Sequence, residues 1–254
     1  MQDFFFEAYI IFLFFVLGLV FGSFCNAWAW RIVHNESIAR GRSHCAVCGH
    51  VLAAKDLVPL FSWLFLRGKC RYCGAPISKR YPLAELILGL YFLSVYLVYG
   101  LTFDGLRLIL LGCILLVCSL VDYDTMELPD PLMAAAALAA LLRLTEPGAW
   151  KSALIGCFAV SVPLLLIVLL ADRILKKESM GGGDIKLIAV LGLHFGPAKT
   201  FFLLIIACIL GILTASAAKK GKGTAFPFGP VLAISAWITA LIGTPIVRWY
   251  MSLF

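Results

Sequence analysis

The stretch Arg107–Asp122, RLILLGCILLVCSLVD, decides the fold. No charge interrupts it between its ends, and the 15 steps from Arg107 to Asp122 rise about 22 Å as a helix. A bilayer's hydrocarbon core is about 30 Å thick. An arginine anchored at one surface therefore leaves the aspartate inside the other. Burying a carboxylate there is costly, so it marks function by default.

The same geometry recurs in reverse. Asp184–Lys199, DIKLIAVLGLHFGPAK, again takes 15 steps, or about 22 Å if Pro197 leaves the path intact, and places Asp184 at matching depth. Before it stand Gly181, Gly182 and Gly183. Non-helical backbone at that depth must line protein or water, so the glycines mark a cavity where another chain can approach Asp184 closely. A plainer role for Asp184 is to cap its helix. Two carboxylates sharing a site do not both ionise easily. The charged one can draw a proton from water while the neutral one polarises a peptide carbonyl. That is aspartyl-protease chemistry, with Asp122 and Asp184 as the candidate pair. The dipole of the helix that Asp184 opens favours its ionised form, leaving Asp122 to hold the shared proton. The chain has no Gly-x-Ser-x-Gly and no His-Glu-x-x-His, so no rival nucleophile or zincin set is present.

Outward from these two runs, apolar windows recur at about 8–30, 82–100, 107–122, 131–145, 152–172, 185–196, 200–217 and 228–247. With 62% hydrophobic residues, 14% charged and a mean hydropathy of +0.99, one water-soluble core cannot hide this surface. The expected fold is an all-α polytopic membrane protein of about eight transmembrane helices, two unusually short. The leading MQDFFFEAY has no Lys or Arg, so the first window reads as a retained helix rather than a signal peptide.

Basic residues set the orientation. Arg31, Arg40, Arg42, Lys55, Arg67, Lys69, Arg71, Lys79 and Arg80 fall between the first two helices. Arg173, Lys176, Lys177 and Lys186 flank the turn before Asp184, and Lys219, Lys220 and Lys222 follow the seventh window. Eight passes put all of them on the cytoplasmic side and the N-terminus outside. The net charge of +7 is thereby accounted for by membrane orientation, without nucleic acid.

Three segments result: a first transmembrane helix over 1–30, a polar cytoplasmic segment over 31–80 and a membrane core over 81–254. In the polar segment, CAVCGH at Cys45 and CRYCGA at Cys70 are two Cys-x-x-Cys-Gly knuckles. Cys45, Cys48, Cys70 and Cys73 suit a tetrahedral metal, with Gly49 and Gly74 closing the turns. Disulfides are disfavoured in the cytoplasm, so the site reads as structural zinc, with rubredoxin-type iron the alternative. The other cysteines read as small buried side chains. Asp130, before Pro131, suits a helix N-cap; Glu36, Asp56, Glu146 and Glu178 read as solvated loop acids.

Two other readings remain open. Asp122, Asp124, Glu127 and Asp130 could hold Mg²⁺ in a prenyl or phosphotransferase, although a second acid-rich motif is missing. A non-catalytic membrane module would use its aspartates only as caps, and would survive their change to Asn.

The sequence resembles the type IV prepilin leader peptidases nearly end to end. GSFCNAWAWR from Gly22, the two knuckles joined by DLVPLFSWLFLRGKCRYC, PISKRYPLAEL from Pro76, VDYDTMELPD from Val121, GGGD with Lys186 and Leu187, and FPFGP from Phe226 occur in the family's order. The resemblance implies that Asp122 and Asp184 are catalytic, with Asp124 and Asp130 supporting, and that the four cysteines bind metal. It implies a bacterial inner-membrane enzyme whose active site faces the cytoplasm. Its substrates would be prepilins or pilin-like secretion pseudopilins with a basic leader, cut after Gly. S-adenosylmethionine would then be the donor for N-methylation of the new N-terminus; no fingerprint in the sequence places that site. The oligomeric state is not encoded in any motif.

Overall fold

A computed structural model describes residues 2–145, 148–176, 180–217 and 226–253. Glu146, Lys177, Glu178, Lys219, Lys220 and Lys222 lie outside the described residues. Every apolar window folds as helix: α1 (Gln2–Val33), α3 (Arg80–Tyr99), α4 (Phe103–Thr125), α5 (Asp130–Ala140), α6 (Ala149–Leu175), α7 (Gly182–Phe195), α8 (Pro197–Ala217) and α9 (Gly229–Met251), with a short α2 (Phe61–Phe65) in the polar segment. The described residues contain no β-strand, only two isolated bridges.

Six of these helices, α1, α3, α4, α6, α8 and α9, are long and apolar enough to cross a membrane. This is a multi-pass membrane protein. The 11 residues of α5 and 14 of α7 rise about 16 and 21 Å, too little to span alone. The expected count of eight is thus six helices of spanning length and two shorter ones. Exposed Phe12, Phe21 and Phe24 on α1 and Ile167, Leu169 and Leu170 on α6 would be unfavourable in water and suit hydrocarbon.

The chain divides into two compact units, Met1–Gly100 and Leu101–Phe254. In the first, α1 and α3 pair antiparallel along small residues. A Cβ on Gly22 would lie 2.7 Å from Glu85 Cα, and one on Gly18 would lie 2.7 Å from Gly89 Cα. Such close backbone approach is how membrane helices gain packing where lipid removes the hydrophobic drive. The polar segment with α2 joins the two helices.

In the second unit α7 is a core element, with Leu187, Ile188 and Leu191 fully buried. Gly192 meets Gly156 backbone to backbone, bringing α7 against α6. Far from the aspartates, a polar latch ties the elements together. Buried Arg107 bonds the Asp104 carboxylate at 2.7 Å and the His194 carbonyl at 2.8 Å. It also donates to His194 Nδ1 at 3.1 Å, which leaves the proton on Nε2 to bond Ala136 O at 2.9 Å. Arg143, in the 3-10 turn Leu141–Thr145 after α5, donates to Leu193 O at 3.0 Å. The C-terminal end of α7 is therefore fixed, and α5 with its 3-10 turn runs alongside the helix.

Candidate active site and metal centre

Asp122 sits in the last turn of α4 and is only 5% exposed. That turn closes on Met126, whose left-handed backbone sends its N–H to Asp122 O at 2.9 Å. The Asp122 side chain accepts the backbone N–H of Gly229, the first residue of α9, at 2.8 Å. A Cβ on Gly229 would lie 2.8 Å from Asp122 Oδ2, so only glycine admits the carboxylate here.

Asp184 is the third residue of α7 and half-buried. It lies within the electrostatic field of Asp122, so the fold brings the two carboxylates together across a long stretch of chain. Among the described residues no hydrogen-bond donor reaches the Asp184 carboxyl. A hydrogen bond to a charged acceptor contributes about 1.5–3 kcal/mol, whereas a helix dipole alone contributes about 0.3–1 kcal/mol. The environments of the pair are unequal.

The three glycines before Asp184 have different roles. None has a left-handed backbone, so none is required by conformation. A Cβ on Gly183 would meet Leu128 Cβ at 3.1 Å, a tight contact; one on Gly182 would meet nothing within 4 Å. Gly181 and Gly182 are exposed and leave the space beside Asp184 open. Asp130, expected as an N-cap, makes no cap bond. Its carboxylate instead accepts Lys186 Nζ at 2.7 Å, joining the first turn of α5 to the second turn of α7 at the surface. Asp124 and Glu127 are exposed.

In the first unit the four cysteine sulfurs lie within 4.8 Å of one another, with Cys45 and Cys73 Sγ 3.9 Å apart. Four thiolates about 2.3 Å from a zinc ion would stand at similar separations, so the donor set fits a tetrahedral metal. No disulfide forms. The knuckles are built alike. Gly49 N–H bonds Cys45 O at 2.8 Å and Gly74 N–H bonds Cys70 O at 3.0 Å, with both glycines at positive φ. The backbone N–H groups of Cys48 and Val47 bring the Cys45 thiol down to about 6, while, against the pull of the Ala75 N–H, burial and the three neighbouring sulfurs push the Cys73 thiol up to about 12.

Two acids escaped sequence reasoning. Asp56, read as a solvated loop acid, is the hub of the polar segment. Its carboxylate takes Arg71 Nε at 2.6 Å, Tyr72 OH at 2.9 Å and Ala53 N–H at 3.2 Å, and the Arg71 bond holds it below the usual carboxylate range. Glu85, on α3, is 7% exposed and accepts the N–H of Leu60 at 2.7 Å. Leu60 adopts φ 59° to deliver it, an unusual conformation for a branched residue. The only sequence signal for Glu85 was an acid within an apolar run. Together with Trp30, Trp63, Tyr81 and the cysteine knuckles, Glu85 lines a cavity of about 370 Å³.

Comparison with known proteins agrees with this division. Residues 16–99 match the Bacterial Peptidase A24 N-terminal domain, and residues 109–216 match the Type IV leader peptidase family. A prepilin leader peptidase/N-methyltransferase of Xanthomonas campestris is 34% identical, over 92% of each chain. Its namesake in Pseudomonas putida is 32% identical over 97% of this chain and 95% of its own. An Escherichia coli type 4 prepilin-like proteins leader peptide-processing enzyme is 34% identical over 87% of this chain and 90% of its own. No solved structure matches.

Proposed function

Since the chain belongs to the type IV leader peptidase family, we propose that this membrane peptidase cleaves prepilins or pilin-like pseudopilins through Asp122 and Asp184. The observation that carries the reading is a buried carboxylate held by a helix N-terminus, within the field of a second carboxylate beside open glycine backbone. One carboxylate takes a proton from the attacking water while the other donates to the scissile carbonyl. The substrate's apolar helix stays in the bilayer and its basic leader outside. Cleavage falls after Gly, on the cytoplasmic side of the bacterial inner membrane. Taking α5 with its 3-10 turn and α7 as two short passes beside the six spanning helices gives eight and places the N-terminus in the periplasm.

The second activity named for the relatives is N-methylation, with S-adenosylmethionine as donor. A cavity of about 370 Å³ is within the range of cofactor sites. Its aromatic side chains and the buried Glu85 carboxylate suit a cationic sulfonium, which supplies the methyl group when bound. Cys45, Cys48, Cys70 and Cys73 hold structural zinc that shapes one wall.

The test is incubation of detergent-solubilised protein with a prepilin-type precursor, read by mass. Cleavage after the leader glycine, lost in Asp122→Asn and in Asp184→Asn with folded protein retained, is the expected result. Normal cleavage by either variant would return the aspartates to helix caps. Addition of S-adenosylmethionine should add about 14 Da, one methyl group, to the mature product. Glu85→Gln should abolish that increment and spare cleavage; a retained increment removes Glu85 from the donor site.

A further inference from the structure

The dipole of α7 by itself would make Asp184 the charged member of the pair, but the hydrogen bonding runs the other way. Asp122 takes the first N–H of α9 at 2.8 Å in a buried setting, whereas no described donor reaches Asp184. Pro230, the next residue of α9, has no N–H, so Gly229 supplies the nearest free donor of that turn. The fit is steric as well as polar. A Cβ on Gly229 would stand 2.8 Å from Asp122 Oδ2 and 3.1 Å from its Cβ.

We propose that Gly229 positions Asp122 as the charged member of the pair, its general base, and leaves Asp184 as the proton carrier. This rests on the aspartyl-protease reading above. Asp122 removes a proton from water as the water oxygen bonds the scissile carbon, and Asp184 gives its proton to the carbonyl oxygen. The C–N bond then breaks. The leaving amine takes the proton from Asp122, and Asp184 regains one from a hydroxyl of the tetrahedral intermediate, so both groups return to their starting states.

Among the described residues, few other titratable groups bear on Asp122. Cys118 lies one turn away on α4 and within its field. The first turn of α9 has no ionisable side chain. From α5 and α7, Asp130 and Lys186 neutralise each other, and Asp124 and Glu127 are exposed. Arg107, Arg143 and His194 belong to the latch at the opposite end of α4 and α7.

The experiment is the pH profile of kcat/KM for precursor cleavage by the full chain and by Gly229→Ala. The acidic limb reports loss of the charged base and the alkaline limb loss of the proton carrier. Gly229→Ala should move the acidic limb upward by about one pH unit or more, lower kcat and leave KM and the alkaline limb in place. A shift of the alkaline limb, or loss of kcat with both limbs unmoved, overturns the assignment. If Gly229→Ala does not fold, the unaltered protein gives the answer. Labelling Phe with ¹³C and Gly with ¹⁵N isolates three Phe-Gly amides, at Gly22, Gly196 and Gly229. The one whose titration vanishes in Asp122→Asn should follow the lower of the pair's two steps; following the upper step overturns the proposal. Should Asp122→Asn still cleave, it is the protease reading that has failed, not merely the assignment of roles.

Discussion

In the first unit, the bonds that shape the metal site join near neighbours: Gly49 N–H to Cys45 O, Cys45 N–H to His50 O, and Gly74 N–H to Cys70 O. In the second, the bonds that shape the aspartate site and its latch join Gly229 to Asp122 and His194 to Arg107 and Ala136, far apart in the chain. Local turns form early at little entropic cost, while long-range bonds wait for helices to assemble. The two knuckles thus preform the two halves of one four-cysteine set, which a metal would join. The aspartate site depends on helix packing.

The largest expected effect breaks the comparison at the metal. Structural zinc contributes about 10 kcal/mol or more to small modules of this kind. Chelation, or Cys45→Ser, should open the segment between α1 and α3 to proteolysis while hydrogen exchange in α4, α7 and α9 stays protected. Equal loss of protection in both would show that the second unit's order also depends on the metal. Next is Arg107→Met, which strips buried partners from Asp104 and from the carbonyl and ring of His194. Breaking one side of such a pair costs about 3–5 kcal/mol and should lower Tm by about 10 °C. Cleavage by the protein that remains folded should persist, because the latch lies about 22 Å from Asp122 along α4. Loss of cleavage at unchanged Tm would give Arg107 a functional rather than a structural role.

The same contrast explains what could be read from the sequence. The cysteine site was legible because its spacing and two glycines encode the turns directly. The helices were legible because their windows are apolar all round, and Asp122 and Asp184 stood out as acids at the ends of such windows. Their electrostatic contact was not legible, since nothing local says that α4 and α7 meet. Nor was the Gly229 bond, for FPFGP reads only as the opening of a helix. Asp56 was misread because its three partners come from the second knuckle and the preceding turn. Asp130 was misread because Lys186, on another helix, takes the carboxylate that local pattern assigned to a cap. Window counting showed that two of the eight helices are short but not where they stop: Pro129 starts α5 and Gly196 ends α7.

Gly182→Ala sharpens the comparison inside the aspartate site. The added methyl meets nothing in the protein, and Gly182 is the first residue of α7, so Tm should stay the same or rise slightly. If substrate backbone passes beside Asp184, the methyl should still lower kcat/KM for cleavage by about tenfold, or 1.4 kcal/mol. The matching change in the metal module, Gly74→Ala, falls at φ 72° and should destabilise the knuckle through backbone strain. One glycine would be kept open for a substrate and the other for a turn. An unchanged kcat/KM in Gly182→Ala would move the substrate's path away from Gly182.

The smallest effect is expected at the Lys186–Asp130 pair, where the two regions' acids diverge most. Asp56 and Asp130 each meet one basic side chain at close range, 2.6 Å from Arg71 and 2.7 Å from Lys186. The Asp56 side chain is 3% exposed, however, and that of Asp130 is 73% exposed. An exposed pair contributes about 0–1 kcal/mol and is screened by salt. Asp130→Asn should therefore change Tm by about 2 °C or less, and added salt should erase the difference. Its effect on cleavage should be equally small, because the pair joins the outer turns of α5 and α7, whereas Gly183 against Leu128 and the latch hold α7 in place independently. Loss of cleavage on the scale of Asp184→Asn would mean that this surface bond, and not helix packing, sets the position of Asp184.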